Sequence, residues 1–272
     1  MPTKTALFEP LPASALAVQL YTVRESTRTA AGFAESLEKI AAIGYPAVQL
    51  SAVNAMEGET PAVTAALARR MLDDNGIKCA ATHRSWTRLT ENTDEEIAFH
   101  HELGCDFVAI GGIPSNYHRD GADGYRRFLT ESVPLIAKLK NAGIRFGYHN
   151  HAHEFARVPG SRHSFWDIFA AEGGADFYLE LDVYWAWHGG VDPVIPLRSG
   201  AGRVPVIHLK DKEAIGNGDV EMAPIGEGNL PWERILPVCR EVGVEWYAVE
   251  QDECRRDPFD CLASSFRFLT GA

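Results

Sequence analysis

The chain has 272 residues, 46% hydrophobic and 23% charged, which is enough apolar material for one sizeable buried core and suits a single domain over 1–272. A formal charge of −11 argues against partners that present phosphate backbones or anionic lipid, since those attract basic surfaces, and favours a small polar or neutral ligand. Cys79, Cys105, Cys239, Cys254 and Cys261 are an odd set without a CxxC pair, and the sequence has no secretory leader pattern or bilayer-length apolar run. The expectation is therefore free thiols in the cytoplasm, with no membrane association.

Taken in chain order, short β-rich runs alternate with helix-length stretches. The runs are "ALAVQLYT" (15–22), "PAVQLSAV" (46–53), "IKCAATHRS" (77–85), "CDFVAIGG" (105–112), "IRFGYHNH" (144–151), "DFYLELD" (176–182), "VPVIHLKD" (204–211) and "VEWYAVEQD" (244–252). Amphipathic patterns over 30–44, 64–76 and 125–143 each end at glycine, a frequent helix terminator, and the order helix, glycine, strand recurs at Gly44, Gly76, Gly104, Gly143 and Gly243. Strands alternating with helices predict βαβ units and a parallel sheet, and eight units in a chain of this length match a closed (β/α)8 TIM barrel. A doubly wound open sheet is the competitor, but the glycine-rich nucleotide turn expected after its first strand is replaced by "LYTVREST". Pro134, inside the longest helical pattern, marks a kink or a new start.

A barrel of this kind carries its active site at the C-terminal ends of its strands. The fifth to eighth runs each end there in a polar residue: His149, Asp182, His208 and Glu250. An inward imidazole or carboxylate at the end of an apolar strand costs several kcal/mol, on the order of the desolvation penalty, unless something satisfies it. One divalent cation could satisfy all four. Two imidazoles and two carboxylates suit Mn²⁺ or Zn²⁺ best, with Mg²⁺, Co²⁺ and Fe²⁺ as further options, and are too nitrogen-rich for a typical Ca²⁺ site. Each residue also has an ordinary structural reading: Asp182 as a helix cap, His208 as a satisfied core histidine, Glu250 as the partner of Arg255.

The segments "YHNHAHEF", "LELDVYWAWHGGVDP", "VIHLKDK" and "PIGEGNLPW", with "HRSW" and "GCDFVAIGG" in support, resemble the xylose-isomerase-like TIM barrels over nearly the whole chain. That family includes sugar isomerases, ketose 3-epimerases, inosose dehydratase and the endonuclease IV group. The resemblance implies metal ligands at the ends of strands five to eight, commonly Glu, Asp, His and Glu. Asp182, His208 and Glu250 match residue by residue, whereas His149 stands where many epimerases carry glutamate, as in the "HNH" subgroup that includes inosose dehydratase-like sequences. Ketose epimerases work with two glutamates on opposite faces of the substrate, and this departure puts that symmetric scheme in doubt.

The implied chemistry is isomerisation or epimerisation of a sugar or keto-sugar through an enediolate, with dehydration of a cyclitol or 3-keto-sugar as the alternative. Glu250 is the expected base, and His149 or His151 its acid partner, with Glu154 in reserve. Lys210 shares strand parity with His208 and could stabilise an oxyanion; Glu180 shares parity with Asp182 and could orient a ligand. His83 and Trp86 in "HRSW" suit a sugar ring, as imidazole and indole often do. The resemblance places further substrate contacts at Trp185 and His188, and Gln19, Tyr21 and Gln49 are weaker candidates. The loop 216–232, with Asp219, Glu221 and Glu227, favours an unphosphorylated substrate.

Three further readings compete. Hydrolysis through an HxH pair is discounted because amidohydrolase barrels place that pair on the first strand, and DNA phosphodiester chemistry is discounted by the charge. A non-catalytic sugar-binding barrel would keep the fold without turnover. The resemblance also implies a homodimer or homotetramer, with the "VYWAWH" and "NYHRDGADGYRRF" loops serving either an interface or a substrate lid.

Overall fold

The computed structural model describes residues 8–216 and 218–272. Eight parallel strands close into a barrel: β1 (Leu16–Gln19), β2 (Ala47–Leu50), β3 (Lys78–His83), β4 (Phe107–Ile110), β5 (Arg145–His149), β6 (Phe177–Asp182), β7 (Val206–Leu209) and β10 (Trp246–Val249), with β10 pairing back onto β1. The ring is the expected (β/α)8 barrel, and each strand falls inside its predicted run. A two-stranded antiparallel hairpin, β8 (Asp211–Ala214) and β9 (Val220–Ala223), follows β7 outside the ring and was not anticipated. Its strands are only four residues each, β8 with Asp211, Lys212 and Glu213 in succession and β9 with Glu221 between Val220 and Met222, so they read from sequence as loop.

The strands obey a period of two with unequal faces. Outward residues such as Val18, Val48, Val108, Phe146, Leu179, Ile207 and Val249 join the large core beneath the helices. Inward residues are small near the bottom, where Ala17, Ala47, Ala80, Ala81, Ala109 and Ala248 leave room for the rings of Phe107, Tyr178 and Trp246. Arg145 seals that end, its guanidinium 5.7 Å from the Phe107 ring and 5.9 Å from the Tyr178 ring, and 2.9 Å from Glu245. With the bottom plugged by rings, the polar residues two positions further along each strand are left as the upper interior.

Predicted helices appear at Ala30–Ile43, Ala65–Asp74 and Gly121–Asn141. The last runs through Pro134 without a break, which rules out the new start. Pro134 and Thr130 lie on the exposed face, so the carbonyl that loses its ladder partner faces water. No helix among the described residues is long and apolar enough to cross a membrane. All five cysteines are free thiols.

Gly147 shows how closely the bottom layer is packed: a Cβ there would lie 2.4 Å from the Phe107 ring. Gly147→Ala is expected to cost about 1–3 kcal/mol of unfolding free energy in urea, the usual penalty for overpacking. Phe107→Leu on the same chain should recover part of it, and the absence of any recovery would place the strain elsewhere.

Candidate functional site

The upper interior is built from paired strand positions. Gln19 lies beside Gln49, His149 beside Glu180, and Asp182 beside His208, so register alone brings these side chains into one layer. His83 enters from β3, and Glu250 follows directly after β10. Gln19, Gln49, His149, Glu180, Asp182, His208, Lys210 and Glu250 are all buried.

The two glutamines fix the orientation of everything around them. Gln49 Nε2 donates to Glu180 Oε1 at 2.8 Å, and Gln19 Nε2 donates to Glu250 Oε1 at 2.9 Å. Because an ionised carboxylate can only accept, the Gln49 carbonyl oxygen must face the other way, and it lies 2.7 Å from His208 Nε2. His208 Nε2 therefore carries a hydrogen. In a neutral ring that leaves Nδ1 as a bare acceptor, 2.7 Å from Glu250 Oε2 and 4.0 Å from Asp182 Oδ2. Acceptors facing one another need a cation between them, either a proton or a metal.

With the proton, burial opposes the His208 imidazolium, but Glu180 and Glu250 outweigh it and raise its pKa to about 10. Burial likewise opposes charge on Lys210, yet Asp182 at 3.2 Å, Glu250 at 3.0 Å and Asp252 at 2.9 Å hold it firmly protonated. Burial raises Asp182 from its ordinary value, while Glu250 is held well below the usual carboxylate range by Lys210 and His208 against the cost of its own burial. His149 is pushed well down, by burial first and then by the positive His208. His149 Nδ1, Asp182 Oδ2, His208 Nδ1 and Glu250 Oε2 are all buried without a well-formed hydrogen bond.

The sequence-predicted quartet comes together in two overlapping groups. Asp182, His208 and Glu250 present ligand atoms within 4.8 Å of one another; His149 groups instead with His83, Glu180 and the same His208. Asp182 serves two purposes, since its Oδ1 caps the helix Val183–His188 by accepting from Trp185 N at 2.9 Å while Oδ2 points inward. Lys210 lies within the first group, and His151 stands at the rim, its ring 5.0 Å from His149 and 5.4 Å from Trp185, with a pKa pushed down to about 4 by burial.

Other candidates lie elsewhere. Glu154 turns away to accept from Tyr148 Oη and from His151 N, fixing the loop after β5. Trp86 packs 4.8 Å from the Phe128 ring, outside the polar cluster, and His188 is exposed on the Tyr184 and Trp185 rings.

Three positioning roles escaped the sequence reading. Asn150 accepts from Asp182 N at 2.9 Å, a tie between β5 and β6 beyond the ladder. The tetrapeptide "AVQL" occurs in both β1 and β2 and was the available signal for the glutamine pair. Asp211 is buried and accepts from the backbone N–H groups of Lys212, Gly226, Gly228 and Leu230 and from Trp232 Nε1. It thereby pins "GEGNLPW" over the barrel mouth, and a Cβ on Gly228 would meet its Oδ1 at 2.3 Å. In the same loop Glu227 is bound by Arg256 at 2.6 Å and Glu221 lies 3.1 Å from Arg255, so their charges repel an anion less than their number suggests. Asn217 lies outside the described residues.

A model of the xylose isomerase-like TIM barrel family matches residues 37–270. The chain belongs to that family. Among solved structures, a sugar phosphate isomerase/epimerase from Parabacteroides distasonis ATCC 8503 superposes with a TM-score of 0.77 at 22% identity, covering 100% of this chain and 99% of that one. The IolI protein with a bound zinc atom gives 0.69 at 14% identity, covering 93% and 96%. The probable 3-DHS dehydratase AsbF of petrobactin synthesis from Bacillus anthracis gives 0.67 at 13%, covering 94% and 98%. At these identities the likeness is one of fold. A search of curated proteins finds no significant match.

Asp211→Asn turns one acceptor oxygen into a donor facing donors. It is expected to cost at least about 2 kcal/mol by denaturant titration, given what an unsatisfied buried group costs. Proteolytic nicking within 216–230 should accelerate. Unchanged stability with unchanged cleavage would show that the loop is held by other contacts.

Proposed function

We propose that this chain is a metal-dependent isomerase or epimerase of a sugar or keto-sugar, with the divalent ion held by Asp182, His208 Nδ1 and Glu250 and with His149 standing at the edge of that set. The observation that carries the reading is the convergence of three buried acceptors, His208 Nδ1, Glu250 Oε2 and Asp182 Oδ2, each without a well-formed hydrogen bond in the protein. Their outer partners support it: Gln49 and Glu180 fix the far nitrogen of His208, and Gln19 fixes the far oxygen of Glu250, as the partners of metal ligands commonly do. One imidazole and two carboxylates suit Mn²⁺ or Zn²⁺. When bound, such an ion chelates adjacent substrate oxygens and polarises a carbonyl, acidifying the neighbouring C–H.

The protein groups supply the proton chemistry. Glu250, held ionised, takes the proton from carbon. Lys210, fixed as a cation, balances negative charge growing on the carbonyl oxygen. His149 and His151, both neutral near pH 7, return a proton from the β5 side. Trp185 offers a ring 5.7 Å from Lys210 Nζ against which a sugar can lie, with His83 facing the same interior and His188 and Trp86 further out. The substrate is a small sugar or cyclitol.

A second reading has its own observation. An imidazole replaces the second carboxylate at His149, and an imidazole serves well to protonate a departing β-hydroxyl, which favours dehydration of a cyclitol or 3-keto-sugar. The dehydratase among the structural neighbours is in keeping with it.

The test is proton exchange followed by NMR in D2O, with metal-loaded protein and a panel of ketoses, inososes and 3-keto-sugars. Deuterium should enter beside a carbonyl only with metal, and Glu250→Gln should abolish it; the product then separates isomerisation, epimerisation and dehydration. Stoichiometric metal without exchange on any substrate would refute the enzyme reading in favour of a binding barrel.

Two further outcomes follow from the tautomer argument. Gln49→Leu should lower divalent-ion affinity roughly 10- to 100-fold, the usual effect of losing a ligand's outer partner. Ion binding at pH 7 should release about one proton, because metal must displace the one on His208, and affinity should climb as pH rises toward 10. Calorimetry in two buffers of different ionisation enthalpy reads that proton, and buffer-independent heats would contradict it.

A further inference from the structure

The proposed ion leaves part of the cluster unused. His83, His149 and Glu180 lie on the β3, β5 and β6 side of His208, and their ligand atoms, with His208, fall within 4.8 Å of one another. Glu180 is the hub: its Oε2 contacts His83 Nε2 directly and lies 3.4 Å from His149 Nδ1 and 3.2 Å from His208 Nε2. His149 Nδ1 is buried and makes no well-formed hydrogen bond. His83 already has an outer partner for its other nitrogen, with Nδ1 3.4 Å from Ser51 Oγ, and Glu180 has one for its other oxygen in Gln49. Each of these two groups is thus oriented from behind and turns its remaining atom inward, where His83 Nε2 and Glu180 Oε2 meet each other beside the unpartnered His149 Nδ1.

We propose that His83 Nε2, His149 Nδ1 and Glu180 Oε2 form a second, inner cation site beside the one assigned to Asp182, His208 and Glu250. His208 belongs to the outer site through Nδ1 and only borders the inner one, because its Nε2 keeps the hydrogen given to Gln49. The inner set is two imidazoles and one carboxylate, a three-ligand pattern that leaves a position for water or substrate. Ligand atoms about 2.0–2.2 Å from an ion sit roughly 3.3–3.6 Å apart in tetrahedral geometry; the 3.4 Å between His149 Nδ1 and Glu180 Oε2 already fits, and His83 Nε2, now in direct contact with Glu180 Oε2, must draw back from it to admit an ion. The two sites differ in donor chemistry. The nitrogen-rich inner set selects Zn²⁺ or Co²⁺, and the carboxylate-rich outer set tolerates Mn²⁺. Two adjacent ions clamp two oxygens of one substrate, so a vicinal oxygen pair on a sugar or cyclitol is the ligand class that would use both. The inference rests on the proposed outer site for this catalytic use but not for its own ligands.

The experiment counts ions. Metal-stripped full-length protein is equilibrated with Zn²⁺ and examined by native mass spectrometry and elemental analysis, with far-UV circular dichroism to verify folding. Two Zn²⁺ per chain are expected, falling to one in Glu180→Gln, in His83→Gln and separately in Asp182→Asn. Loading with Mn²⁺ before Zn²⁺ should give a mixed species with one of each. His83 is partly exposed, so His83→Gln carries the test if Glu180→Gln fails to fold. A single Zn²⁺ that survives His83→Gln and Glu180→Gln but is lost in Asp182→Asn would overturn the inner site and leave the outer one standing. No ion in any form would overturn both.

Discussion

The upper interior of this barrel depends on one amide. Gln49 gives its N–H to Glu180 and takes one from His208, and since an ionised carboxylate can only accept, the direction of the amide and with it the tautomer of His208 follow. Had the position been Leu, Glu180 alone, 3.2 Å from His208 Nε2, would be left to hold that hydrogen. With Gln49, the bare nitrogen points at Asp182 and Glu250 and the protonated one points at the hub. Gln19 repeats the device one strand away for Glu250, so the two copies of "AVQL" act as clamps on adjacent strands.

A cluster with this many buried charges is not there for stability. Glu180, Asp182, Glu250, His208 and Lys210 are all withdrawn from water, and the desolvation of each costs several kcal/mol before any pairing is counted. Apolar side chains of similar size would pack the same space at lower cost. The alanine-lined layer beneath shows what the fold does when only packing is at stake: small side chains and three aromatic rings, with charge kept to the bottom rim, where Arg145 pairs with Asp106 and Glu245. The contrast between the two layers of one barrel is the physical argument that the upper one is built for a ligand.

Sequence periodicity made the barrel legible, because a strand buried on both faces next to an amphipathic helix has few other meanings, and the glycines after the helices marked the joints. The polar strand ends were equally visible in place, since the barrel sets which end of a strand matters. Their grouping was not. His83 lies far from Glu180 in sequence, and only closure of the sheet brings β3 across to β6. Asp211 read as the tail of a strand, whereas it is the acceptor that organises the following loop. The helix continues through Pro134 because that position is exposed, and burial, which sets the cost of a missing ladder bond, cannot be read from the residue itself.

The replacement of a strand-five carboxylate by His149 changes the symmetry of the site in a way that bears on the reaction. Two opposed carboxylates would each be anionic at neutral pH and could exchange roles between removing and returning a proton. Here one face has Glu250, held ionised by Lys210 and His208, and the other has imidazoles that burial keeps neutral. On the proposed reading, a carboxylate base opposite a neutral imidazole gives the site a direction: the first proton would leave toward β10, while a proton given from the β5 side would come from a group with little tendency to hold extra charge. Such a donor works best when the atom receiving the proton is itself becoming strongly basic, as a departing hydroxyl or an oxyanion does. The two proposed reactions therefore differ in the atom that receives the returned proton, carbon in epimerisation and a departing hydroxyl in dehydration, and the neutral imidazoles on the β5 side bear on both.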